Sequence, residues 1–251
     1  MTSVGVARQL GIAQSKWVFL HGCGEANDRL VTERADLADS PAIRENVSRA
    51  LAMADKDLAD MCCFDLYSCF PSAIEVACDA IGLSVDDERD LTVTGGLPFF
   101  GGPGNNYSMH GIVSMVERMR KKPGSYGLVT ANGGWLSKHA TGIYSTEPWL
   151  GRWQRESPAS YQAEIDKLIA PPFSESPEGT ASIETYTICF DRDGPNRGIV
   201  IGRLVSGNQR FVADLPAAPQ FFSRMVAEEA MGVGGVVSQQ SGRNTFVPAF
   251  S

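Results

Sequence analysis

The chain has 251 residues, with 22 basic against 29 acidic side chains and a net charge of −7. That length predicts one large or two modest domains, enough to bury a core. The acidic balance and the lack of a long basic run argue against a duplex nucleic-acid surface, and no apolar run approaches the ~20 residues of a membrane-spanning helix.

Thr2–Leu10 is helical in pattern, with Val4, Ala7 and Leu10 apolar and Gly11 as a stop. Lys16–Leu20 reads as a short buried strand that ends at His21-Gly22-Cys23-Gly24. A chain that opens with a helix feeding a buried strand reads as the second half of something larger. Residues 25–39 are polar and predict a loop. Ser40-Pro41 is an N-cap followed by proline at the first helical position. Ala42, Ile43, Val47, Ala50, Leu51 and Ala54 then form an apolar stripe at helical spacing. Met61–Leu66 reads as a strand buried on both faces, and Tyr67-Ser68-Cys69-Phe70 as the loop at its C-terminal end. Pro71 opens a helix that Gly82 stops.

Leu91–Thr146 is the central stretch. Leu91–Thr94 reads as a strand running into Gly95-Gly96, and Ser125–Thr130 as a strand running toward Gly133-Gly134. Between them lies a helix over Tyr107–Arg120, with Met109, Ile112, Val113, Val116 and Met119 inward. The basic cluster Arg118, Arg120, Lys121 and Lys122 at its end suits the helix dipole; the alternative is a phosphate-binding patch. Ala140–Tyr144 reads as a strand returning beside its predecessor. Helix and strand in alternation predict a layered α/β half, a mixed sheet covered by helices, over residues 1–148.

Residues 149–179 are rich in proline, serine and glutamate and read as a linker with one short helical piece at Tyr161–Ile169. Beyond it Ala181–Phe190, Gly198–Leu204, Gln209–Ala213, Gly232–Val237 and Asn244–Val247 read as strands, with a short helix over Phe221–Glu229. Residues 180–251 therefore predict a small, mostly β module of the size of a five-stranded OB-type barrel.

Six cysteines (Cys23, Cys62, Cys63, Cys69, Cys78, Cys189) form no C-x-x-C pair and read as reduced thiols of a cytoplasmic protein. Three scattered histidines (His21, His110, His139) give no metal-ligand spacing, so neither a metal nor a resident cofactor is expected. Chemistry is sought instead where strand ends converge: Tyr67-Ser68-Cys69-Phe70, the stretch from Gly95 to Asn106, and Ala131-Asn132-Gly133-Gly134. Asn105, Asn106 and Asn132, with loop N–H groups, are candidate oxyanion-hole donors. Cys69 or Ser68 are candidate nucleophiles and His110 or His139 candidate bases, though no spacing rule ties them together.

The order of these pieces resembles the C-terminal half of the thiolase superfamily, in its acetyl-CoA acetyltransferase and sterol-carrier-protein thiolase-like branch, over Met1 to about Thr146. Asp65-Leu66-Tyr67-Ser68-Cys69-Phe70-Pro71-Ser72-Ala73 resembles that family's Asn-Glu-Ala-Phe or His-Asp-Cys-Phe motif. Gly95-Gly96-Leu97 with Gly101-Gly102-Pro103 resembles its Gly-Gly…Gly-His-Pro loop, and Tyr126 to Gly134 the strand into its Cys-x-Gly loop. The resemblance implies an acyl-CoA thioester as substrate or ligand, handled by Claisen chemistry. It places Tyr67, Ser68, Gly95, Gly96, Gly102, Gly133 and Gly134 around the substrate. It also implies losses. The histidine of the Gly-His-Pro loop falls on Gly102, the second cysteine on Ala131, and the Asn or His of the first motif on Tyr67. Neither glycine nor alanine exchanges a proton. The family's nucleophilic cysteine belongs to its N-terminal half, and Cys69 falls where one branch also carries cysteine. His139 either replaces a lost group or is a hydrogen-bonded structural histidine. The β-rich tail resembles the extra C-terminal domain of certain thiolase-like proteins.

Three readings of function follow: an acyltransferase half-subunit needing a partner half, a non-catalytic binder of acyl-CoA or protein, and a truncated product of a longer gene. The missing half predicts a homo-oligomer, or a heteromer with an N-terminal thiolase half, because an unpaired half exposes an apolar face.

Overall fold

A computed structural model describes residues 1–102 and 104–250, so Pro103 of the Gly101-Gly102-Pro103 segment lies outside the described residues. The chain divides into two compact units, residues 1–30 with 36–168, and residues 31–35 with 169–251.

The first unit is three-layered. Its sheet has the order β1-β4-β3-β2, from β1 (Phe19–Asn27), β2 (Met61–Asp65), β3 (Tyr126–Gly133) and β4 (Lys138–Ser145). β2 and β3 are parallel; the other pairs are antiparallel. Side chains alternate across each strand, and the core divides accordingly. Phe64, Leu128 and Ile143 face α2 (Pro41–Ala54) and α3 (Pro71–Ile81). Cys63, Val129 and Tyr144 face Met115 and Met119 of α5 (Tyr107–Lys121). Helix α1 (Val4–Gln9) precedes the sheet, and a single turn, α4 (Leu97–Phe100), precedes α5.

Three expectations need correction. β1 does not end at His21-Gly22-Cys23-Gly24 but runs through it to Asn27. The glycines there serve close packing: a Cβ on Gly22 would lie 2.0 Å from the Ala50 carbonyl oxygen, and one on Gly24 2.1 Å from that of Asn46. Helix α2 thus lies directly on the strand backbone. Leu91–Thr94 forms only an isolated bridge, Thr92 with Asp65. The Phe64 and Leu66 N–H groups do bond to Asp90 and Leu91 carbonyls. The Thr94 N–H then turns to the Asp65 carboxylate (3.3 Å) and the ladder stops. Thirdly, the proline-rich stretch carries α6 (Pro158–Asp166), which packs in the first unit. Tyr161 and Ile165 bury against Ala26 and Ala42. The Tyr161 hydroxyl accepts the Glu25 N–H, and Gln162 exchanges hydrogen bonds of 2.8 and 2.9 Å with the Asn27 backbone. Side chains of α6 thereby satisfy part of the β1 edge.

The second unit is a closed barrel of order β5-β6-β7-β9-β8. Its strands are β5 (Gly179–Asp191), β6 (Gly194–Leu204), β7 (Arg210–Asp214), β8 (Gly234–Gln240) and β9 (Arg243–Pro248), and α7 (Pro219–Ala227) stands between β7 and β8. β7 and β9 pair in parallel; the other neighbours are antiparallel. Phe211, Phe246, Val200 and Val237 fill the interior with no exposure. No helix of the described residues is long and apolar enough to cross a membrane.

Candidate functional site

The site lies where β2 and β3 end and β4 begins. The first corner, after β2, is tied to the others by its own backbone and side chains. The Tyr67 N–H donates to Thr130 Oγ1 (2.8 Å), Ser68 Oγ accepts the Leu97 N–H (2.9 Å), and the Asn132 amide meets Cys69 Sγ at 3.7 Å. Behind them runs a buried polar chain. Asp65 Oδ1 accepts from Thr94 N–H and hydroxyl (3.3 and 3.2 Å), and Thr94 Oγ1 lies 2.5 Å from the Tyr107 hydroxyl. Burial pushes the Asp65 carboxyl above its ordinary range despite these donors, and Asp65 Oδ2 bonds no described residue. The chain fixes the Gly95-Gly96 turn, whose φ angles of 84° and 99° suit glycine.

Two adjoining spaces open at this convergence. A small pocket of about 10 Å³ is lined by Tyr67, Thr130, Ala131, Asn132, Leu136 and His139, among others. A cleft of about 700 Å³ shares Ala131, Asn132, His139 and Ala140 with it, and adds Asn105, Ser108, Gly133, Lys138 and Gln162. Asn132 Oδ1 is buried there and bonds no described residue.

Of the residues singled out from the sequence, Tyr67, Asn105, Asn132, Gly133 and His139 line these spaces. Ser68 and Cys69 stand behind them through the contacts above. Gly95, Gly96 and Gly134 shape turns and line neither space. Asn106, the residue before α5, makes no capping bond and lines neither space. Gly102 is exposed against Leu97, whose side chain would lie 2.9 Å from an added Cβ. His110 packs edge-on against Phe100.

His139 is buried and held through one nitrogen. Its Nε2 lies 3.1 Å from the Leu136 carbonyl oxygen and 3.4 Å from Asp28 Oδ2. Asp28 in turn accepts the Ser40 hydroxyl (2.5 Å) and the Ala42 N–H (3.0 Å). Burial alone would raise the Asp28 carboxyl; the bonds from His139, Ser40 and Ala42 outweigh it and hold the group below its ordinary range. Asp28 therefore contributes stability that is complete above the ordinary carboxylate range and is lost as pH falls through its lowered value. Urea denaturation of wild type and Asp28→Asn should show a stability gap at pH 7 that shrinks toward about pH 3; a gap that does not change with pH would contradict this coupling.

The sequence did not mark Asp28, Thr94, Tyr107, Ser108, Lys138 or Gln162. Asp28 sat in a polar stretch without a motif, and Gln162 in what read as a linker. Tyr107 was placed at the start of a helix, with no sign that its hydroxyl would meet Thr94.

Residues 160–241 match the profile of the thiolase-like protein type 1 additional C-terminal domain. Across 99% of its length the chain is similar, at 45% identity and a TM-score of 0.90, to the crystal structure of a monomeric SCP2-thiolase-like protein type 1 from Mycobacterium smegmatis. The fold is thiolase-like. The match covers 54% of that protein, so the present chain spans about half its length. No curated protein matches the sequence. Both findings support the thiolase-like family.

Proposed function

We propose that the cleft is an acyl-CoA thioester site of the thiolase type, built to supply the second half of a Claisen-type acyltransferase centre. The observation that carries this reading is the convergence of the Tyr67 and Ala131 corners on the small pocket that adjoins the cleft, where the buried Asn132 amide oxygen bonds no described residue. The amides of Asn105 and Asn132 and the Gly133 backbone would bind the thioester. Ala131 and Gly102, by contrast, handle no proton. Carbon–carbon cleavage then needs a nucleophilic cysteine from sequence outside these 251 residues, as a heteromer with an N-terminal thiolase half or within a homo-oligomer. Phe70, Phe99 and Trp135, exposed by 66, 90 and 85%, offer apolar contact for such a partner. A protein-binding or purely ligand-binding role is the second reading, favoured by the inert Gly102 and Ala131. We also propose that the barrel is of the OB type, on its strand order, its parallel β7–β9 pair and the helix between β7 and β8. Its role is taken as packing or protein interaction rather than nucleic-acid binding, given the acidic chain.

Calorimetry with acetyl-CoA is expected to show saturable heat; none at millimolar ligand would overturn the thioester reading. CoA-dependent cleavage of an acetoacetyl thioester is expected only when a chain carrying the nucleophilic cysteine is added. Carbon–carbon cleavage by this chain alone, read as acetyl-CoA formed from the acetoacetyl thioester and CoA, would contradict the half-site view.

A further inference from the structure

We propose that the cleft hydrolyses short acyl-CoA thioesters, with His139 as the base that activates water; this rests on the reading that the cleft binds a thioester. Three observations meet here. The first is the tautomer of His139. The ring's hydrogen bond to the Leu136 carbonyl uses Nε2, the same nitrogen lies 3.4 Å from the Asp28 carboxylate, and both of these groups only accept. Nε2 therefore carries the hydrogen, and in the neutral ring Nδ1 keeps its lone pair. No described residue bonds Nδ1.

The second is the small pocket. About 10 Å³ is the space of a single water molecule. Tyr67, Asn132 and His139 give it three polar side chains, and the buried Asn132 oxygen bonds no described residue. A site that is polar, water-sized and lined by an orphaned acceptor is where an ordered water is expected. The third is adjacency. His139, Asn132 and Ala131 line this pocket and the cleft alike, so a water held there faces whatever carbonyl the cleft holds.

The reaction balances without a further reactant. Water oxygen attacks the thioester carbonyl carbon while His139 Nδ1 takes its proton. The oxyanion is met by the side-chain amide of Asn105, which lines the cleft. The carbon–sulfur bond breaks, and the proton held by His139 passes to the departing CoA sulfur. The products are the carboxylic acid and CoA thiol. Asp28, in direct contact with Nε2, is a positioning residue: it fixes the ring and offsets its charge while the proton is held. Ser40 and the Ala42 N–H fix Asp28 in turn. Hydrolysis needs no cysteine nucleophile, which suits a cleft that carries Ala131 at a motif position.

The test uses the full chain with acetyl-CoA alone, reading thiol release and, in ¹⁸O water, label in the acetate. Release above the buffer rate is expected, with one ¹⁸O per acetate, and slower in D₂O. His139→Gln should lower it about 100-fold or more, and Asp28→Asn should lower kcat with KM little changed. The D₂O comparison tests the proton transfer even if either variant fails to fold. Heat of binding without thiol release overturns the hydrolase inference and leaves the thioester site standing. No heat overturns both. Release that His139→Gln leaves intact, or that carries no label, overturns the role of His139 and of water.

Discussion

Replacing Arg210 by methionine is expected to destabilise the barrel unit by about 3 kcal/mol, near the low end of what breaking a buried ion pair costs. Arg210 opens β7 and is fully buried, the largest such side chain among the described residues. A buried guanidinium is tolerable only if its donors are used. Here they are. Two bonds of 2.9 and 2.7 Å reach the Glu184 carboxylate, and others reach the carbonyls of Thr32 and Arg34. Arg210 thus fastens residues 31–35 to the barrel with which they are grouped. The loss stays at the low end because Glu184 keeps a second partner, Arg203, at 2.8 and 3.2 Å. Arg210→Lys should fall between, since an ammonium cannot form the two-pronged contact. Adding Glu184→Leu to Arg210→Met should recover part of the loss, because a buried charge then no longer needs a partner. Burial alone would raise the Glu184 carboxyl, but Arg210 and Arg203 hold it below its ordinary range. Its stabilisation is therefore present at neutral pH and lost as pH falls through that lowered value, so the deficit of Arg210→Met should narrow in acid. Urea denaturation of the full chain at pH 7 and near pH 3 reads both effects. A variant as stable as wild type at pH 7 would show that the buried pair contributes nothing.

Elements whose signals are local could be read from the sequence. Ser40-Pro41 marked the start of α2, and the Ser40 hydroxyl does accept the Ile43 N–H. Pro71 and Gly82 bracketed α3 as expected, and period-two alternation found all five barrel strands to within a few residues at most ends. The signals that failed were ambiguous in kind. Glycine serves both turns and close packing, so Gly22 and Gly24 read as a strand end when they mark where a helix lies on a strand. Leu91–Thr94 had strand composition, yet the carboxylate of Asp65 took the N–H that the ladder needed. The helical piece at Tyr161 was read within the proline- and serine-rich stretch, but not the packing of Tyr161 and Gln162, whose partners Glu25 and Asn27 lie more than a hundred positions earlier.

The site was legible in the same uneven way. Tyr67 and Asn132 were picked out because each follows or lies on a strand end, and strand ends in layered α/β folds face a common crevice; His139 was picked out as a candidate base by residue type. Gly102 and Asn106 were picked out by motif and by residue type, and neither lines the cleft. The network that could give His139 a chemical role joins Asp28, Ser40 and Ala42 to a histidine more than ninety positions on. No spacing rule in one sequence reports such a contact; only the packing of α2 on the sheet creates it.

That packing gives the second large expectation. Gly22→Ala and Gly24→Ala should each destabilise the first unit by about 3 kcal/mol, the upper end of the overpacking range. The added carbon would stand 2.0 Å from the Ala50 oxygen in one case and 2.1 Å from the Asn46 oxygen in the other. Both obstacles are helix backbone, so no rotamer change relieves them and α2 must shift from β1. Gly5→Ala is the matched comparison. It also adds one carbon, but its nearest neighbour is Ser3 Oγ at 3.9 Å. Gly5 lies within α1, where alanine is favoured by about 1 kcal/mol, so that variant should equal or exceed wild type. The shift of α2 should also reach the cleft. Its N-cap Ser40 and the Ala42 N–H hold Asp28, Asn46 accepts the Thr141 hydroxyl, and Asp28 holds His139. Acetyl-CoA affinity should therefore fall in Gly24→Ala, at temperatures where the variant is still folded, and stay unchanged in Gly5→Ala. Denaturation midpoints and calorimetry on the three variants separate the two effects. Equal stability for Gly24→Ala and Gly5→Ala would mean that α2 does not rest on the strand backbone.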